Sequence, residues 1–211
     1  MVKVGFIVEG ETEKLIIDSE NFQSLLADLQ IDCVSEAIDA QGNRNLLPHN
    51  IIPFQAILKE KGAEYIFILT DRDDDACITL TRKRITEREN QFIIVAVQKI
   101  EAWFLADSQT LSVMAGKSMA IDYPELEPIP FEKIGTIVQY QTGRGIGTRK
   151  VRFALNYLRK GFSLRNAAAH PNCPSAAYFL NKLKHINQAP IPPEGASYTD
   201  SPPLGAGGLS L

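Results

Sequence analysis

Over residues 1–106, short apolar runs rich in β-branched residues alternate with longer amphipathic stretches, and few folds accommodate that pattern. Residues 2–8, 63–69 and 92–97 are nearly continuous apolar runs, the mark of strands covered on both faces. A weaker strand is expected over 31–38. Between these runs, 12–29 carries Leu15, Phe22, Leu26 and Leu29 at helical intervals, with Glu11 and Glu13 at its start, where acids suit the helix dipole. Residues 42–45 read as a polar loop, 51–61 as a helix closed by Gly62, 82–90 as a helix, and 99–106 as the start of another. Strands separated by helical segments imply crossover connections and a mostly parallel α/β sheet flanked by helices. At 211 residues the chain suits one core with an appendage.

Several function classes fall away at once. The longest apolar runs, 65–69 and 92–97, are far shorter than the ~20 residues of a membrane helix, so no membrane contact is expected. The first residues have no secretion-signal pattern. Cys33, Cys77 and Cys173 are odd in number and scattered, which points to a reducing cytoplasm and away from a zinc ribbon.

The net charge of −3 conceals a segregation. Residues 1–132 hold 23 acidic and 12 basic side chains, whereas 133–187 hold 10 basic and none acidic. Such a chain pairs an acidic site with a cationic surface for a polyanion, or simply attracts one part of itself to the other. Within the second part, 149–160 reads as a basic amphipathic helix, with Val151, Leu155 and Leu158 on one side and Gly161 as its stop. Residues 175–184 form a further helix after Pro174. From 188 onward Pro and Gly dominate, and a disordered or loose arm is expected. The expected organisation is a core over 1–132, a basic helical C-terminal part over 133–187, and a tail over 188–211.

The chemistry sits where strands end. Glu9 follows the first strand, Asp71 and Asp73 follow the third, and Glu101 follows the fourth. A parallel sheet points all its carboxyl ends to one edge, where open α/β sheets place their sites. Crowded carboxylates stay ionised only with a compensating cation, and an all-oxygen set suits Mg²⁺ or Mn²⁺. Such ions polarise a phosphoryl oxygen and generate hydroxide. Gly10 would allow an abrupt strand-to-helix turn and close phosphate approach. No histidine or cysteine lies in these segments.

Glu9-Gly-Glu-Thr-Glu-Lys followed by Thr70-Asp-Arg-Asp resembles the Toprim fold of topoisomerases, bacterial primases, small maturase ribonucleases and the overcoming-lysogenisation-defect nucleases. The Ile-Glu-Ala-Trp motif at residues 100–103, with Phe162-Ser-Leu-Arg-Asn and Cys173-Pro-Ser175, resembles a bacterial Toprim-like family of unassigned function, over roughly residues 2–185. The resemblance implies a metal-binding core over 1–132. Within it, Glu9 would serve as acid/base or metal ligand, Asp71 and Asp73 as metal ligands, and Glu101 as the glutamate of the Ile-Glu-Ala-Trp motif. The run Asp74-Asp75-Ala76 departs from the glycine many Toprim sites carry there.

Arg144, Arg149, Lys150, Arg152, Arg159, Lys160 and Arg165 fall within 22 residues and are candidate phosphate contacts. Tyr140 and Tyr157 could stack bases or fill the core, and Gly143 to Gly147 lacks the Lys-Ser/Thr of a Walker loop. Lys99 could stabilise a phosphorane-like transition state or be a solvated lysine. His170 reads as a helix-end residue and Trp103 as core.

Resemblance and residues together lead to the expectation of a Mg²⁺/Mn²⁺-dependent nuclease for DNA or RNA, acting in phage defence. The alternatives are a non-catalytic metal- and nucleic-acid-binding subunit working with an ATPase partner, and a small-molecule phosphotransfer enzyme.

Overall fold

In the computed structural model, residues 1–187 are described; the expected tail, 188–211, lies outside the described residues. The fold class is the expected one, a parallel sheet flanked by helices. Strand β1 (Val2–Val8) pairs with β4 (Tyr65–Asp71), and β4 with β5 (Gln91–Ala96). On its other side β1 pairs first with β2 (Ile31–Cys33) and then, at its carboxyl end, with β3 (Ile38–Asp39). Every pairing is parallel.

Strand alternation explains why the apolar runs are continuous. Val4, Phe6, Val8, Phe67, Leu69, Ile94 and Ala96 enter one core; Ile7, Ile66, Ile68, Ile93 and Val95 enter the other. The second core is closed by Leu58 of α3 (Ile52–Glu60) and Ile85 of α4 (Ile78–Ile85). Gly5 is required there, because a Cβ would stand 2.7 Å from Leu58 Cδ1.

The first core takes every other helix: α1 (Glu11–Asp18), α2 (Glu20–Asp28), α5 (Glu101–Ala106), α6 (Ser108–Ala115), α7 (Pro130–Thr142), α8 (Lys150–Arg159), α9 (Leu164–Ala169) and α10 (Pro174–His185). Phe179 of α10 lies against Phe6, Phe22, Phe67 and Trp103, so residues 133–187 share one core with 1–132. No helix among the described residues is long and apolar enough to cross a membrane.

Three local expectations are corrected. The helix expected over 12–29 is two, because Ser19 turns extended (φ −67, ψ 148) and its hydroxyl caps Phe22 N instead. The strand expected over 31–38 is likewise two short pieces, both on β1. The helix expected over 82–90 is α4, which ends where Thr86 takes a left-handed φ of 74. On α8, the buried arc is Phe153, Ala154 and Tyr157 against Phe104, while Leu155 is 37% exposed. Tyr157 is a core residue whose hydroxyl donates to Phe104 O, whereas Tyr140 is exposed.

Candidate functional site

The carboxyl edge of the sheet gathers acids by backbone geometry. Glu9 continues the β1–β4 ladder, its N–H donating to Leu69 O at 2.9 Å. Its Oε2 accepts from the Thr70 hydroxyl at 2.5 Å and from Asp71 N at 3.1 Å. Asp71, the last residue of β4, accepts from Ile100 N at 2.8 Å through Oδ1, which ties the start of α5 to the strand. Glu101 is 3% exposed beside it, and its Oε1 meets Lys150 Nζ at 2.8 Å. These residues line a pocket of about 450 Å³ together with Glu13 of α1 and Asp39 of β3.

Glu13 and Asp39 are absent from the candidates read from sequence. The spacing Glu9-x-x-x-Glu13 held the signal: four residues on from a strand end, past a tight entry to a helix, a side chain returns to the same edge. Gly10 serves this return differently from expectation. Its backbone is extended (φ −154, ψ −174), a conformation open to any residue, and a Cβ would stand 3.3 Å from Glu13 Oε2. The glycine therefore leaves room for the Glu13 carboxylate.

The electrostatics are those of an acid cluster short of cations. Burial raises the Glu13 carboxyl to about 7, opposed by its own backbone N–H and reinforced by Glu9, Glu101 and Asp39. Asp71 is held well above the usual carboxylate range by burial, then by Glu13, Glu9 and Glu101, with Lys99 acting the other way. Among the described residues, Lys150 is the one cation lining the pocket.

Asp73 does not line it. Residues i and i+2 share a face only while a strand continues, and β4 stops at Asp71. Asp73 takes a left-handed φ of 49, its Oδ1 meeting Lys99 Nζ at 2.5 Å and its Oδ2 accepting from Asn43 Nδ2 at 3.2 Å. Burial opposes the Lys99 charge, but the bond to Asp73 and the nearby Asp71 outweigh it and raise the ammonium's pKa.

The basic residues disperse. Lys150 faces Glu101, with its ammonium 5.7 Å from the Phe131 ring. Arg165 pairs with Asp28 at 2.8 Å, and Arg149 is exposed at the start of α8. Arg144, Arg152, Arg159 and Lys160 line a separate cleft.

Other motif residues hold the helices together. Asp107, fully buried, accepts from Thr110 N and Oγ1, Ser163 N and Asn166 Nδ2. Buried Glu125 accepts from Ser175 N and Oγ and from the Cys173 thiol, while Ser175 Oγ accepts from Trp103 Nε1 at 2.7 Å. His170 Nδ1 accepts from Asn172 N at the end of α9.

The donor chemistry at the pocket is all oxygen. As the side chains stand, no three Asp, Glu, His or Cys groups among the described residues are gathered closely enough to hold a metal ion.

Among solved structures, the chain is similar to the C-terminal region of the Burkholderia pseudomallei OLD protein, at 17% identity and a TM-score of 0.42, over 86% of this chain and 98% of that one. No protein-family model and no curated protein matches the chain.

Proposed function

We propose that this protein is a Mg²⁺- or Mn²⁺-dependent nuclease of the Toprim-like kind that its motifs resemble, hydrolysing phosphodiester bonds of DNA or RNA. The observation that carries the reading is the convergence of Glu9, Glu13, Asp71 and Glu101 on one pocket with Lys150 as its only lining cation among the described residues. Mutual repulsion raises Asp71 and Glu13 away from their ionised form, so the donor set favours a hard divalent cation that would relieve it.

In this reading Glu9, Asp71 and Glu101 hold the ion, and Glu13 joins them at the mouth of α1. When bound, the ion polarises a phosphoryl oxygen and lowers the pKa of a coordinated water. Thr70 and the Asp71 N–H fix the direction of the Glu9 carboxylate, and Ile100 N does the same for Asp71. Lys150 leaves Glu101 to balance the charge of an incoming phosphate. Asp73 and Lys99, paired with each other, hold the loop after β4 beside the pocket.

The test is incubation of circular single-stranded DNA, supercoiled DNA and structured RNA with the protein in Mg²⁺, Mn²⁺ or EDTA, with Glu9→Ala and Asp71→Ala alongside. The expected result is metal-dependent cutting that both substitutions abolish. Binding without cutting, unchanged by either, would replace this reading with that of a non-catalytic subunit acting beside an ATPase.

A further inference from the structure

Helix α8 carries a second site on the side turned away from the carboxylates. Lys150 and Val151 line the acidic pocket, whereas Arg152, Leu155, Asn156 and Arg159, spaced three and four apart, line a cleft of about 580 Å³. The opposite wall is Val113 and Met114 of α6, the end of α7, and the loop that follows it. That volume lies in the range of pre-formed ligand sites, ~300–1,000 Å³.

The lining has two parts. Arg144, Arg152, Arg159 and Lys160 supply positive charge, and none of them forms an ion pair among the described residues. No acidic residue lines the cleft. Between the cations lie Met114, Ile146 and Leu155, an apolar floor. A surface built for phosphates alone has no use for that floor.

The loop bearing Arg144 is fastened. Thr142 Oγ1 accepts from Arg144 N at 3.2 Å, and Gln139 Nε2 donates to Gly143 O at 3.2 Å. Ile146 lies 3.4 Å from where a Gly135 Cβ would stand, so the missing side chain seats the loop on α7. Gly143 and Gly147 take left-handed φ of 72 and 77 at its two ends.

We infer that this cleft seats an unpaired nucleotide of a single strand, base against the apolar floor and flanking phosphates on the four cations. A duplex hides its base faces in the stack and offers only phosphate ridges and groove edges, so it would leave the floor unused. An unstacked base has a free π-face, for which apolar and guanidinium surfaces are suited without regard to sequence. The inference rests on the nucleic-acid part of the proposed function and names its substrate class. From Lys150 to Arg159 the helix rises ~14 Å, so the seated nucleotide is several units from a phosphate at the carboxylates.

Fluorescence anisotropy in EDTA tests this without cleavage. The probes are a labelled oligothymidylate and a blunt hairpin duplex of equal phosphate number. The wild-type chain is expected to bind the single strand about tenfold tighter than the hairpin, and Arg152→Gln/Arg159→Gln to weaken single-strand binding about tenfold with a salt slope shallower by about 1.4. Lys59→Gln/Lys61→Gln, on α3 at the other core, is expected to change neither. Met114→Lys separates seating from charge: a purely electrostatic surface would bind more tightly with the added cation, whereas a seated base loses its floor and binding falls. Thermal melts confirm that each variant is folded. Equal affinity for both probes, indifference to the arginine pair, or tighter binding by Met114→Lys overturns the inference. Cutting with no strand preference would sink it and leave the nuclease reading standing; strand-selective binding without cutting would do the reverse.

Discussion

Lys150 Nζ stands 2.8 Å from Glu101 Oε1, so the first residue of the basic helix α8 is the counter-charge of a buried carboxylate at the sheet edge. Lys150→Met leaves Glu101, 3% exposed, without that partner. Because the lysine is half-exposed, the loss expected in metal-free buffer is about 1–2 kcal/mol, near the low end for a broken buried pair. Urea unfolding measures it, and Lys150→Met/Glu101→Gln should recover most of the loss. An unchanged midpoint for the single variant would show that the pair carries no stability.

Glu13 makes metal-free stability depend on pH. Its folded carboxyl titrates at about 7, above its ordinary value, so folding favours the protonated form. The contribution is intact below pH ~4 and is lost as pH rises through about 7. Relative to wild type, Glu13→Gln is therefore expected to match at about pH 5 and to gain stability towards pH 8, by at most on the order of 3 kcal/mol. Melting curves across that interval decide the matter; a difference that stays flat with pH is the contrary result.

Repulsion at Asp71 predicts opposite responses with and without metal. In EDTA near pH 8, Asp71→Asn should melt above wild type, since it removes the most crowded charge. Saturating Mg²⁺ or Mn²⁺ should raise the wild-type melting temperature by several degrees and leave Asp71→Asn and Glu9→Gln nearly unmoved. A metal-induced rise of equal size in all three would place the ion elsewhere.

Asp107 gives a structural contrast. Its carboxylate satisfies two backbone N–H groups and two side chains from α6 and the turn into α9, with no exposure to water. Asp107→Ala strips all four at once and is expected to cost about 3 kcal/mol or more, seen as a lower urea midpoint. Ser175→Ala, which leaves Trp103 Nε1 and Glu125 without a shared partner, is expected to cost about 1–3 kcal/mol. Neither residue touches the carboxylate pocket, so any folded fraction should keep its metal response.

The Ile-Glu-Ala-Trp, Ser-Leu-Arg-Asn and Cys-Pro-Ser segments stood out in the sequence as motifs, but their roles differ. Glu101 belongs to the pocket, whereas Trp103, Ser163, Asn166, Cys173 and Ser175 join networks that fasten the C-terminal helices to α5 and to the 3₁₀ turn at Pro124–Leu126. A motif reports that residues belong together; it does not report whether chemistry or packing unites them.

The sequence by itself determined the parallel α/β core, the extent of β1 at residues 2–8, and the arrival of Glu9, Asp71 and Glu101 at one edge. Those features follow from local causes: strand period, burial on both faces, and the common direction of parallel strands. Tertiary structure decided which neighbours complete the site. Glu13 and Asp39 enter because α1 and β3 turn back over the edge, and Asp73 leaves because its backbone turns left-handed two residues after the last ladder bond of Asp71. The basic segment, uniform in sequence, divides into a partner for Glu101, a pair with Asp28 and a cleft on α8, since the side of a helix each cation occupies is set by which arc the core buries.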